Sequence, residues 1–191
     1  MTNTPAHSSD SVTALMEESP LSCAVLEAEK LAVIRLSGKG NFLTSVPLKK
    51  FSEHLQKTNK VNDLIVDLGG CETMDSTFMG VLASVGMVQI RRGARKLIIA
   101  NANEHCRKLL KTLGIARLLE VHEPHDSGDH QKILNKAADQ LEPMAQESLS
   151  HTDQICHTLE AHRTLVRADG ENEIRFQSVI HYLEKSLETE K

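Results

Sequence analysis

The chain predicts an α/β domain with a mixed four- or five-stranded sheet and helices mainly on one face, followed by a C-terminal α-helical hairpin extension. Three observations carry that expectation. Short apolar runs bounded by polar residues, above all Leu64-Ile65-Val66, have the pattern of strands buried on both faces. They alternate with stretches whose apolar residues recur every three or four positions, as at 78, 81, 82, 85 and 88. Beyond residue 123 the β pattern stops and two long amphipathic stripes follow. The expected boundaries are a flexible arm over 1–20, a folded domain over 21–123, and a linker with a helical extension over 124–191.

The arm is rich in Ser and Thr, with a helical turn over Val12 to Met16 conceivable on contact with a partner. Leu21 to Leu26 and Leu31 to Leu36 read as strands joined by the polar turn Glu27 to Lys30, an antiparallel hairpin. Ser37 to Asn41, with two glycines, reads as a loop. A helix then begins with Thr44 or Ser45 as cap and Pro47 in its first turn, and turns Leu48, Phe51, Leu55 and Thr58 to one face. The Leu64 to Val66 strand closes at Asp67, and Gly69-Gly70 opens a loop that runs to Asp75-Ser76-Thr77. The helix beyond carries Gly80, Ser84 and Gly86, which fits close packing on the sheet or a flat patch for a partner's backbone.

Lys96 to Ala100 reads as a further strand. Asn101 or Asn103 caps a helix that Gly114 ends, and Leu118 to Val121 is a short edge strand. The linker holds His122, His125, His130, Asp126 and Asp129, all able to ligate metals, but their spacing fits no closed zinc pattern, so no metal is expected. A helical pattern from Gln131 breaks near Pro143. Leu149, Thr152, Ile155, Cys156, Leu159, His162 and Val166 form one stripe, and Asp169-Gly170 stops it. Phe176, Val179, Ile180, Leu183 and Leu187 form the second. Two helices hide little apolar surface alone, so the stripes are expected to bury one another, the folded domain or another subunit, the last giving a homodimer through the C-terminal helices.

Aromatic residues are only 3% of the chain and Trp is absent, so the core is aliphatic and a stacking platform for single-stranded nucleic acid is disfavoured. Residues 21–123 hold 15 basic and 10 acidic residues, whereas 124–191 hold 7 and 13. Complementary potentials would favour docking of the acidic extension on the basic domain or on another copy. Arg91, Arg92, Arg95 and Lys96 suit a helix C-terminus better than a nucleic-acid footprint. Four cysteines without CxxC spacing, no signal-peptide pattern and no membrane-length apolar run lead to the expectation of a cytoplasmic protein without membrane insertion.

Ser76, expected as helix cap, lies at the positive end of a helix dipole, where a phosphate ester would be tolerated yet would change what the surface presents. The run from Asp67 through Gly80 resembles the signature of the STAS domain of bacterial anti-sigma factor antagonists. In that family a strand ending in Asp-Leu leads to Met-Asp-Ser-Ser/Thr with a Gly four residues after the first Ser. Met74, Asp75, Ser76, Thr77 and Gly80 stand in those places. The similarity continues through Gly93 to Ala100 and Leu109 to Ile115, so it covers roughly residues 21 to 123. Many family members carry an acidic residue near position 41, where this chain has Asn41.

The resemblance implies that Ser76 is phosphorylated by a partner kinase, and that Asn41, Asp75, Ser76, Thr77, Met79 and Gly80 form the partner surface. The implied partners are an anti-sigma factor/serine kinase and a phosphatase, with no cofactor and no direct nucleic-acid contact. The expected function is a phosphorylation-switched binding module that sequesters the anti-sigma factor when Ser76 is unmodified and so regulates transcription. The alternative is a STAS accessory subunit of a transporter or signalling scaffold without phosphoregulation. A third reading, a nucleotide or small-ligand carrier, would use the Gly38 to Gly40 loop. No enzyme is expected: Asp75 beside Ser76 is adjacency in sequence rather than an activated nucleophile, and Walker A, HExxH and Rossmann patterns are absent.

Overall fold

The computed structural model describes residues 19–58, 61–146 and 148–189. Residues 1–18 of the expected arm, and with them the helical turn conceivable at Val12 to Met16, lie outside this range. The elements run β1 (Leu21–Leu26), β2 (Leu31–Gly40), α1 (Phe42–Thr58), β3 (Asp63–Met74), α2 (Ser76–Arg91), β4 (Leu97–Ala100), α3 (Glu104–Thr112), β5 (Leu119–Val121), α4 (Asp129–Ala137), β6 (Glu142–Pro143), α5 (His151–Ala168) and α6 (Asn172–Thr189). The sheet order is β5-β4-β3-β2-β1-β6. β1 pairs antiparallel with β2 and β6, and the pairs β2–β3, β3–β4 and β4–β5 are parallel.

Period-two alternation divides each central strand between two cores. Ala32, Ile34, Leu36, Leu64, Val66, Leu97 and Ile99 face the larger core, shared with α1, α2 and α3. Leu31, Val33, Ile65 and Ala100 face a smaller one, covered by Leu134 and Ala137 of α4. This is why the strands read as unbroken apolar runs.

The sheet has six strands rather than four or five. Pro143, expected as a helix break, sits in β6 opposite Ser22, an edge position where a missing N–H costs nothing in the ladder. Residues 37–40 of the expected glycine loop and 69–74 of the loop expected after Asp67 are strand. β2 and β3 continue side by side to Gly40 and Met74, with register shifts between Arg35 and Ser37 and between Gly38 and Lys39. The nucleotide-carrier reading loses its loop. The caps of α1 also move: Asn41 Oδ1 accepts from Thr44 N at 3.2 Å and Thr44 Oγ1 accepts from Asn41 N at 2.8 Å, which places Pro47 inside the helix.

Asp67 holds the first register shift. The residue is 4% exposed, and its carboxylate accepts from Arg35 Nε at 2.9 Å, Asn101 Nδ2 at 2.8 Å and Gly69 N at 3.0 Å. Its removal would leave three donors short of an acceptor. Asp67→Ala is expected to lower the unfolding free energy by about 3 kcal/mol. Urea denaturation checks this, and a loss below ~1 kcal/mol would contradict the role given to the carboxylate.

Candidate functional site

The chain reverses from β3 into α2 at Asp75, and that residue, not Ser76, is the cap. Asp75 Oδ1 accepts from Phe78 N at 2.8 Å, while Oδ2 accepts from Phe42 N at 3.2 Å, the first amide of α1. One carboxylate therefore ties together the beginnings of two helices. Relieved of capping, Ser76 is the first residue of α2 and is half-buried, its hydroxyl directed away from the helix backbone.

The hydroxyl meets the chain's own hairpin. Ser76 Oγ lies 2.9 Å from His162 Nε2 on α5, and His162 Nδ1 lies 3.0 Å from the Thr158 carbonyl oxygen. A carbonyl can only accept, so Nδ1 carries the proton and Nε2 accepts from the serine hydroxyl. The Phe176 ring of α6 closes the other side of His162 at 4.9 Å. One turn along α2, a Cβ at Gly80 would stand 2.4 Å from the Ala161 carbonyl oxygen, so only glycine lets α5 come this close. Earlier on α5, His157 Nε2 is 2.7 Å from Ser45 Oγ, and its ring meets Phe42 edge-on at 5.4 Å. Lys49 of α1 pairs with Glu160.

The hairpin is also rooted in the core. Leu165 and Ala168 belong to the larger cluster, and the buried Asn172 Nδ2 donates to the carbonyls of Leu113 and Leu165, both at 2.9 Å. Of the six expected partner-facing residues, Thr77, Met79 and Gly80 are buried, Asn41 and Ser76 are half-buried and Asp75 is exposed. The face expected to be open is thus largely covered by α5. His157, His162 and Asn172 were not among the expected site residues. The available signal was His162 on a largely apolar stripe, with His157 off that stripe on the same helix; a histidine requires hydrogen-bond partners wherever it is buried.

A serine donating to an imidazole held by a third group has the geometry of an activated nucleophile. The electrostatics weaken that use. Burial holds His162 below its ordinary pKa, against the opposing pull of the Thr158 carbonyl and Asp75. The orienting group is a neutral carbonyl, and the seam beside the pair is closed by Gly80 and Ala161.

The family model described as "Mlab, STAS domain" matches residues 23–120. The chain belongs to the STAS domain family. The match spans β1 to β5 and includes Ser76, while α4, α5 and α6 lie beyond it. Among solved structures, the chain is similar to TM1081 by NMR, at 14% identity over 73% of this chain and 97% of that one, TM-score 0.48. A crystal structure of the same Thermotoga maritima protein, described as a candidate anti-sigma factor antagonist, gives 14% identity, 58% and 89% coverage, and 0.47. Unphosphorylated SpoIIAA, an anti-sigma factor antagonist that a companion structure calls a Bacillus cell fate determinant, gives 17%, 56% and 90%, and 0.44. No curated protein matches the chain. No helix among the described residues is long and apolar enough to cross a membrane.

Both seam histidines favour the docked hairpin when neutral. Burial, with Lys49 adding to it against Glu160 and Asp75, lowers His157 from 6.5 to about 4. The folded value lies below the unfolded one, so this stabilisation is complete above about pH 6.5 and is lost as pH falls toward 4. At pH 5 the loss through His157 is on the order of 2 kcal/mol. Urea denaturation at pH 7.5 and 5.0 is expected to show a drop of that size in the wild type and a smaller one in His157→Gln. Equal drops would contradict the assignment.

Proposed function

We propose that the chain is a phosphorylation-switched protein-binding STAS module of the anti-sigma factor antagonist kind, with Ser76 as the modified residue and the α5–α6 hairpin as resident occupant of its binding face. The observation that carries this reading is the bond from Ser76 Oγ to His162 Nε2 across the seam. A hydroxyl in that position couples two events. A phosphate carrying about −1.5 to −2 charges cannot fit within a 2.9 Å contact, so modification and the hairpin's grip exclude one another. The same charge beside the Asp75 carboxylate would repel an acidic partner surface and leave a poorly paired anion in the interface. Unmodified Ser76 therefore favours capture of an anti-sigma factor/serine kinase, phosphorylation releases it, and a phosphatase restores capture. The hairpin competes with the partner for Met79, Gly80 and the start of α2.

A second reading is favoured by a different observation. Leu165, Ala168 and Asn172 are integral to the buried interior, as suits a permanent rather than displaceable hairpin. On that reading the chain is a STAS accessory subunit of a transporter or signalling scaffold, and Ser76 is a structural hydroxyl.

Capture by the full-length chain from its native cells, with phosphopeptide mapping, separates the two. The switch predicts a kinase-type partner and phosphorylated Ser76, capture abolished in Ser76→Asp and kept in Ser76→Ala. A transporter partner bound equally by both variants would establish the second reading. Competition by the hairpin further predicts that His162→Ala, which removes one grip and keeps the serine, tightens capture about five-fold, the equivalent of ~1 kcal/mol. Weaker capture by His162→Ala would count against that competition.

A further inference from the structure

We propose that His122, Asp126 and His130 form a binding site for a divalent metal ion of the zinc class, at the joint where the matched domain passes into α4. His122 follows β5, Asp126 lies in the connecting turn, and His130 is the second residue of α4. One ligand atom from each lies within 4.8 Å of the other two. His122 Nδ1 is 2.7 Å from Asp126 Oδ2, and its Nε2 is 3.0 Å from Glu120 Oε1. The His122 and His130 rings stack with centroids 4.0 Å apart. Tetrahedral zinc, with bonds of about 2.0–2.1 Å, spaces its ligands about 3.3 Å apart. The widest separation here therefore has to contract by no more than about 1.5 Å, within reach of side-chain rotation.

His130 distinguishes this group from ordinary surface ion pairs. The residue is 5% exposed, and its Nε2 is buried without a hydrogen-bond partner. A buried polar atom in that state is costly and calls for a ligand. The ring is also seated: a Cβ at Gly128 would come 2.6 Å from His130 Nδ1 and 2.7 Å from Cε1, so the glycine makes room for the imidazole. His122 is fixed by its backbone, its N donating to the Ile99 carbonyl at 2.9 Å and its carbonyl accepting from Ala102 N at 3.0 Å. Two anchored imidazoles and a partly exposed carboxylate give a rigid pair and an entry side. The neighbouring candidates fall away, since Asp129 pairs with Lys132 and His125 is exposed outside the group.

The donor chemistry selects the ion. Imidazole nitrogens with a carboxylate suit zinc and its neighbours, while magnesium and calcium prefer all-oxygen cages. Glu120, against the other ring nitrogen of His122, supplies the carboxylate that orients that imidazole. A bound metal would replace the proton on the ligating nitrogen of His122, leave the other ring N–H on its carboxylate, and clamp α4 to the edge of the sheet.

The test is titration of the metal-free full-length chain with zinc chloride by calorimetry, with cobalt(II) absorption reporting coordination. One equivalent is expected to bind, and magnesium chloride to give no binding. His122→Gln and Asp126→Asn, both at partly exposed positions, are expected to weaken zinc at least ten-fold, with Cys156→Ser unchanged. Failure of the wild type to bind one equivalent, wild-type affinity in both ligand variants, or loss of binding in Cys156→Ser would overturn the proposal.

Discussion

The seat of α5 on α2 governs the rest of this molecule. The Gly80 backbone approaches the Ala161 carbonyl more closely than any side chain would permit, and that approach brings His162 to Ser76 and His157 to Ser45. Burial of Leu165 and Ala168 supplies the apolar gain, while the seam's polar groups fix register. Docking is chiefly a matter of shape and apolar burial. Charge enters the α1–α5 contact through Lys49 and Glu160, although the extension is acidic and the domain basic.

This geometry changes the meaning of a serine at the start of a helix. Asp75 takes over the capping of both α1 and α2, so the serine hydroxyl is available to the seam. Its bond to a neutral imidazole is worth on the order of 1 kcal/mol, small against the burial of α5. A hydroxyl bond of that size can bias the hairpin's position without setting whether the hairpin folds. Regulation would require a larger change at the same atom, which a phosphate supplies.

Much of the architecture was legible in the sequence. The Leu64 to Val66 run, the stripe of α2, the Asn103 cap, the Gly114 stop and the Asp169-Gly170 turn all fall where local patterns put them. The misreadings have a common origin in non-local pairing. Gly69-Gly70 carries every local sign of a loop, yet the Asp67 hydrogen bonds and the ladder to β2 keep it extended. β6 exists because β1 offers an edge, not because Glu142-Pro143 favours a strand. Asp75 and Ser76 are both good caps, and Asp75, which caps α2 through Phe78, also accepts from Phe42, 33 residues away in sequence. The candidate site was half legible for the same reason. Ser76 stood out by its motif, but its partner His162 lies 86 residues away, inside what read as an apolar stripe.

The central claim is that α5 lies along α1 and α2 in solution, over the Ser76 face. The exposed Cys156 on α5 offers a native attachment point, facing a groove lined by Val46, Lys49, Lys50 and Glu53 of α1. With Cys23 replaced by Ser and a nitroxide on Cys156, paramagnetic relaxation in the full-length chain reads the distance directly. The account predicts strong broadening of the Val46 to Glu53 amides. Sharp α1 resonances, with broadening confined to the hairpin itself, would contradict it.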